Sequence, residues 1–139
     1  MKTENNVLFS KIAACHSRLL KRVESPLGSL HGLGISEYLV LDRLNSVLGK
    51  TMSRVELAEQ VGMTASGVTR LLQPMEKIGL VEKQVNQRDA RKSMVKLSVA
   101  GELKFKESQL SFNESLNSLF DGLSEKDRRE FASILDRVK

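Results

Sequence analysis

Apolar residues recur at every third or fourth position through most of this chain, and charged residues fill the positions between them. This spacing places the apolar side chains on one face of an α-helix. Six helices are predicted, and glycines or capping residues mark most of their ends. Their predicted ranges are about 5–24, 37–48, 54–61 and 65–78, followed by two helices within residues 99–139.

Several stretches between the helices carry the signals of turns. The segment SPLGSLHGLG contains Pro26 and three glycines, which predicts a turn-rich connector ending where Ser36 caps the second helix. Ser53, followed by a glutamate three residues later, has the pattern of a capping box before the third helix. Thr64 caps the fourth helix only two residues after Gly62 ends the third, which is the spacing of a helix-turn-helix.

Two short runs rich in β-forming residues, LVEKQV and SMVKLS, follow the fourth helix. The seven residues between them, NQRDARK, are polar and basic, so the pattern predicts a β-hairpin with a charged tip. Two strands alone are marginally stable in water, and this hairpin therefore has to pack against the helices. The predicted fold class is mainly α: a winged helix-turn-helix with about six helices, one β-hairpin, and dimerisation helices at both ends of the chain.

The fourth predicted helix has two different faces. The apolar face, suited to a protein core, consists of Val68, Leu71, Leu72, Met75 and Ile78. The opposite face consists of Ser66, Thr69, Arg70 and Gln73, which can all form hydrogen bonds. Gly67 in this helix costs about 1 kcal/mol relative to alanine. It suits either a close approach to a ligand surface or close packing on the third helix. Pro74 lies inside the same range and predicts a kink.

Composition and charge narrow the class of partner. The 139 residues are 40% apolar and 28% charged, as is typical of one soluble domain, and the formal net charge is +5. Residues 51–98 carry eight Lys or Arg and five Asp or Glu, and the surplus lies within 88–96, just past the fourth helix. Alone, this basic stretch is equally typical of a solvated loop. Beside an exposed polar helix face, it favours a polyanion such as double-stranded DNA.

A helix that enters the DNA major groove by its N-terminus needs small residues, free N–H groups and hydrogen-bonding side chains. Arg70 has donors suited to guanine and Gln73 groups suited to adenine, while Ser66 or Thr69 can contact a base edge or a phosphate; the sequence assigns no base to any of them. In the hairpin, Arg91 is predicted to enter a minor groove, and Asp89 to orient an arginine. The predicted DNA-binding residues are Thr64, Ser66, Thr69, Arg70, Gln73, Arg88, Arg91 and Lys92, with Asp89 in a supporting role.

Several motifs in this region together resemble the DNA-binding part of the MarR family of bacterial transcription regulators. They are ELA in the third helix, SGVTR in the fourth, MEKIGLV at its exit, DAR in the hairpin, and LSVAG after it. With the flanking helices, the resemblance covers nearly the whole chain. It implies a homodimer formed by the first and the last two helices. It also implies DNA contacts from Ser66, Thr69, Arg70 and Arg91, and a small anionic or aromatic effector bound between the dimerisation and DNA-binding parts.

The residue pattern independently favours a dimer. Apolar stripes at both ends of the chain flank a winged region that is too small to cover them, and a second copy would satisfy both. We expect one integrated domain with three parts: an N-terminal helix and connector in 1–35, the DNA-binding region in 36–98, and dimerisation helices in 99–139. A two-fold dimer sets its recognition helices about 34 Å apart, which calls for a pseudo-palindromic operator.

The predicted function is a sequence-specific, cytoplasmic transcription regulator, a repressor released by a small effector, with no cofactor, no metal and no membrane segment. An enzyme is not predicted, since no nucleophile, base and orienting group stand together and no phosphate-binding glycine loop follows a strand. Two alternatives stay open. Cys15, the only cysteine, could act as a redox sensor, although its place on an apolar stripe favours an inert core residue. The winged helix could also serve in DNA architecture or protein binding without a regulatory role.

Overall fold

A computed structural model describes residues 1–139 as six α-helices and a three-stranded antiparallel sheet. The helices are α1 (Glu4–His31), α2 (Ile35–Ser46), α3 (Arg54–Val61), α4 (Ala65–Lys77), α5 (Val99–Leu119) and α6 (Glu125–Asp136). The strands are β1 (Thr51–Ser53), β2 (Val81–Val85) and β3 (Ser93–Leu97), in the order β1-β3-β2, and a 3₁₀ turn (Leu48–Lys50) joins α2 to β1. The mainly α winged helix-turn-helix is confirmed. None of these helices combines the length and the apolar content that crossing a lipid bilayer requires.

The first five helices, α1 through α5, and all three strands contribute to one hydrophobic core. Its buried side chains include Leu27, Leu41, Leu57, Val68, Leu72, Val81, Val95 and Phe105. By contrast, α6 contributes no buried residue. The predicted hairpin is present as β2 and β3. A third strand, β1, pairs with β3 from Thr51 to Ser53, and the sequence pattern did not reveal it.

The first helix is longer than the sequence predicts. It continues through Pro26 to His31, and Gly32 ends it with a left-handed φ of 65°. The turn-rich connector predicted for the end of the 1–35 segment is therefore wrong. Pro26 removes one backbone hydrogen bond, but α1 packs along α5, and Val23 and Leu27 are buried. Tertiary packing thus overrides the low local helix propensity.

The predicted ends of the next helices are partly correct. Helix α2 begins after Gly34 rather than after Ser36, and it ends at Ser46. Ser53 does cap α3, because its side chain accepts a hydrogen bond from the backbone N–H of Glu56 at 3.1 Å. The second hydrogen bond of a capping box, from the Ser53 N–H to the Glu56 side chain, is absent. Gly62 ends α3 with a left-handed φ of 68°, as predicted.

Helix α5 is seated directly on the chain that leaves α4. Ser98 caps α5 by accepting a hydrogen bond from the Gly101 N–H at 2.9 Å, and its own hydroxyl lies within donating distance of the Gly79 carbonyl, at 2.5 Å, and of the Leu80 carbonyl, at 3.0 Å. A Cβ atom placed on Gly101 would lie 2.1 Å from the Leu80 oxygen and 2.7 Å from a methyl carbon of Leu97. Only glycine permits this approach.

Two further contacts join the winged region to α5. The Tyr38 ring of α2 stacks on Phe112, with centroids 4.1 Å apart, and lies 5.5 Å from Phe105. Burial, with a smaller effect of the Asp42 charge, raises the pKa of Tyr38 to about 12, so this phenol stays neutral under physiological conditions. Lys50 Nζ lies 3.1 Å from Glu102 Oε1 in the first turn of α5.

We expect Gly101→Ala to lower the free energy of unfolding by about 1–3 kcal/mol, since the new methyl group must displace backbone at Leu80. Gly28→Ala is the matched control, because Gly28 is an exposed helical glycine with no atom within 4 Å of an added Cβ. That change should leave stability equal or raise it by up to about 1 kcal/mol. Urea unfolding of both variants measures the difference, and equal effects would contradict the close seating of α5.

Candidate nucleic-acid interface

Burial of one face of α4 fixes the direction of the other. Val68, Leu72 and Met75 are fully buried, and Leu71 is half-buried. Ile78 is an exception to the predicted core face: it is 67% exposed, because the helix ends at Lys77 and Ile78 already lies in the turn beyond it. The four polar residues predicted to face outward are all exposed; they are Ser66, Thr69, Arg70 and Gln73.

The N-terminus of α4 is shaped by its own hydroxyl groups. Thr64 caps the helix, as predicted, by accepting a hydrogen bond from the Gly67 N–H at 3.0 Å, and its oxygen lies 3.3 Å from the Ser66 hydroxyl. The Thr69 hydroxyl donates to the Ala65 carbonyl at 3.1 Å. These bonds fix the side chains in place before any ligand arrives.

Gly67 has a local role at this helix end. A Cβ atom there would lie 3.1 Å from the Thr64 hydroxyl oxygen and 3.3 Å from the Met63 methyl carbon. Both neighbours belong to the turn between α3 and α4. Close packing on the third helix, one of the two roles considered for this glycine, is therefore wrong: the space is needed by the capping side chain.

The C-terminal part of α4 contains a proline and an ion pair. The helix continues past Pro74 to Lys77, and the kink predicted at this proline stays a prediction. Arg54, the first residue of α3, pairs with Glu76 in the last turn of α4, with 2.6 Å between Nη2 and Oε1. Sequence reasoning missed this pair, since two opposite charges 22 residues apart carry no periodic signal.

The tip of the hairpin, which we call the wing tip (residues 86–92), is organised by two short polar side chains. Asn86 Oδ1 accepts hydrogen bonds from the backbone N–H groups of Arg88 at 2.8 Å and Asp89 at 3.2 Å. Asp89 Oδ1 accepts from both the backbone N–H and the side-chain Nε of Arg91, each at 3.1 Å. The Arg91 side chain remains 92% exposed.

Hydrogen bonds from Arg91 favour the ionised form of the Asp89 carboxyl. The side-chain hydrogen bond from Arg91, then its backbone N–H, lowers the pKa of Asp89 below its ordinary value, and the nearby charge of Lys92 acts in the same direction. Arg88, Arg91 and Lys92 all project from the wing tip into solvent. Lys83 of β2, which the sequence analysis did not select, lines the same shallow groove as Arg91 and Lys92.

Cys15 is half-buried in a groove between α1 and α6. It is distant in sequence from the predicted DNA-binding residues of α4 and the wing tip. The groove is also lined by Arg18 of α1 and Phe131 of α6. The redox role of Cys15 stays a prediction.

The two ends of the chain expose apolar side chains that this single chain does not cover. They are Val7, Leu8, Phe9 and Ile12 of α1, with Phe131, Ile134 and Leu135 of α6.

The MarR family model matches residues 31–92, and no curated protein matches the chain in sequence. Sco3205, a MarR family transcriptional regulator from Streptomyces coelicolor solved in complex with DNA, superimposes with a TM-score of 0.89 at 18% identity, over 99% of this chain and 87% of that chain. AbsC, a MarR family regulator from the same organism, gives 0.87 at 21% identity, over 97% and 92%. A mutant MarR from E. coli complexed with operator DNA gives 0.84 at 20% identity, over 99% of each chain.

These matches agree with the geometry of α4 and the wing. Residues 31–92 match the MarR family model, and the fold of the whole chain is the one found in these MarR-family transcriptional regulators.

Proposed function

We propose that this protein is a sequence-specific transcription regulator that binds a pseudo-palindromic DNA operator as a homodimer. The outward orientation of the polar face of α4 carries this proposal. That face sits at a capped helix N-terminus, where free N–H groups and partial positive charge favour phosphate, and the small residues around Gly67 allow close approach. Two proteins of the same fold, Sco3205 and E. coli MarR, were solved with DNA, which supports the choice of ligand.

Each candidate residue has a distinct role in the proposed complex. Arg70 pairs with guanine and Gln73 with adenine in the major groove, and Ser66 and Thr69 contact base edges or phosphates. Thr64 stabilises the helix end and can donate its proton to a phosphate. On the wing tip, Arg91 enters the minor groove with its side chain oriented by Asp89, while Arg88 and Lys92 contact phosphates.

The proposed dimer forms through the two chain ends. Residues 1–35 and 99–139 supply the interface, and 36–98 supply the DNA-binding region, within one integrated domain. The uncovered apolar residues of α1 and α6 support this division, since a monomer leaving them in water would lose the benefit of their burial.

Repression and its release complete the proposal. A dimer held on an operator blocks access to that DNA, and a small anionic or aromatic effector that shifts the dimerisation helices would release it. The seating of α5 supports such coupling, because Gly101 and Ser98 hold Leu80, which immediately follows α4. Movement of α5 therefore has to move the exit of the recognition helix.

Footprinting tests the proposed function against an architectural one. We expect the protein to protect one short two-fold site on a duplex selected from random-sequence DNA, and to lose affinity steeply as salt rises, because counterions are released from the phosphates. Protection that spreads along DNA without preference would support the architectural alternative. Binding that does not change with salt would contradict the phosphate contacts.

Arg70→Ala should weaken binding to the selected duplex by about 1–3 kcal/mol and relax the preference at one base position in each half-site. The physical reason is the loss of two parallel hydrogen bonds to one base. Competition with singly substituted duplexes measures both effects. Arg129→Ala, which removes an exposed arginine from α6, is the matched control and should keep the full preference. An unchanged base preference in Arg70→Ala would remove this residue from the readout.

Phe131→Asp should convert the proposed dimer to monomers. Phe131 is 41% exposed in the single chain, and an aspartate buried at an interface leaves an unpaired charge. We expect the dimer dissociation constant to rise by roughly tenfold or more in sedimentation equilibrium. Leu48→Asp, at an exposed apolar site in the 3₁₀ turn, is the control and should keep the wild-type oligomeric state. A wild-type protein that sediments as a monomer would refute the dimer directly.

A further inference from the structure

The Arg54–Glu76 ion pair between α3 and α4 takes no part in the proposed DNA contacts, dimer interface or effector response. Its side chains are only 12% and 22% exposed, and 2.6 Å separates Nη2 from Oε1. The Nε atom of Arg54 is buried without a hydrogen-bond partner. The cost of removing both charges from water is therefore incompletely offset by hydrogen bonds.

A buried ion pair of this kind contributes little to the free energy of unfolding. Apolar side chains of similar size at buried ion-pair positions are often as stabilising or more so. What an arginine–carboxylate pair supplies instead is geometry, because its hydrogen bond fixes a distance and a direction between the two helices, whereas an apolar contact tolerates sliding.

The position of the pair along α4 shows where that geometry is needed. Pro74 has no N–H, so the carbonyl of Arg70 lacks its helical donor and the helix bends more easily there. The residues proposed to contact DNA lie before Pro74, from Ser66 to Gln73. Glu76 lies two residues beyond Pro74, on the part of α4 that Arg54 holds against α3.

We propose that Arg54 and Glu76 are positioning residues that set the angle of the recognition helix past Pro74, where one backbone hydrogen bond is missing. They touch no DNA themselves and act through Arg70 and its neighbours on the exposed face. This inference rests on the proposed function as a DNA-binding regulator, and it adds a requirement for affinity that lies outside the DNA-facing surface.

Four proteins test the proposal: the wild type, Arg54→Met/Glu76→Leu, Pro74→Ala, and the triple variant. The probe is the duplex that the wild type selects from random-sequence DNA, and thermal unfolding is measured beside affinity. We expect the double variant to unfold at or above the wild-type temperature and yet to bind about tenfold more weakly. Pro74→Ala restores the backbone hydrogen bond to Arg70, so it should recover most of the lost affinity in the triple variant. In the wild-type background it should change affinity by less than about threefold.

The rescue by Pro74→Ala separates positioning from general stability, because a pair that only holds the fold has no reason to depend on that proline. Equal affinity of the double variant and the wild type would overturn the proposal, as would a triple variant that binds no better than the double. A double variant that fails to fold would also overturn it, since the pair would then be a stability determinant. If the wild type selects no duplex, the proposed function itself fails and this inference falls with it, which the first arm of the experiment reveals separately.

Discussion

Burial of Val68, Leu72 and Met75 is the interaction on which the candidate interface depends. Each such side chain contributes about 1.5–3 kcal/mol when removed from water, which outweighs the roughly 1 kcal/mol of helix propensity lost at Gly67. The helix therefore forms although its first turns contain residues that favour helices weakly. The same burial fixes the rotation of α4 about its axis. The polar face is outward because the apolar face is fully occupied, and no separate interaction is needed to present it.

A second constraint transmits that orientation to the rest of the molecule. Leu80 lies three residues beyond the end of α4, and its carbonyl accepts hydrogen bonds from both the hydroxyl and the backbone N–H of Ser98 at the start of α5. On the other side of α5, Glu102 accepts from Lys50, and this hydrogen bond, with a second from Lys106, lowers the pKa of the Glu102 carboxyl below its ordinary value. The first turn of α5 is therefore in contact with two separate segments of the winged region, at Leu80 and at Lys50.

Local signals predicted much of this structure, and long-range contacts account for what they missed. The N-cap at Thr64 and the helix end at Gly62 depend only on residues three or four positions away in the sequence. The helix-turn-helix was therefore predictable from local signals. The continuation of α1 through Pro26 depends on packing along α5, some 80 residues away, as the His31–Ser111 hydrogen bond illustrates. Strand β1 is three residues long and shows no periodicity. Helical periodicity selected the polar residues of α4, and all four are exposed, whereas their contacts with DNA stay a prediction.

The wing tip follows a different physical logic from α4, since it has no core to hold it. Arg88, Arg91 and Lys92 repel one another, and a loop that carries them would gain freedom by opening. Asn86 and Asp89 oppose this by accepting the backbone N–H groups of Arg88, Asp89 and Arg91, and the charged Asp89 carboxylate also offsets part of the positive charge. Ordering of the tip is thus achieved before a ligand arrives, which reduces the entropy that binding has to overcome. A helix oriented by burial and a loop ordered by polar side chains thus form the two surfaces that the proposed contacts with a major groove and an adjacent minor groove need.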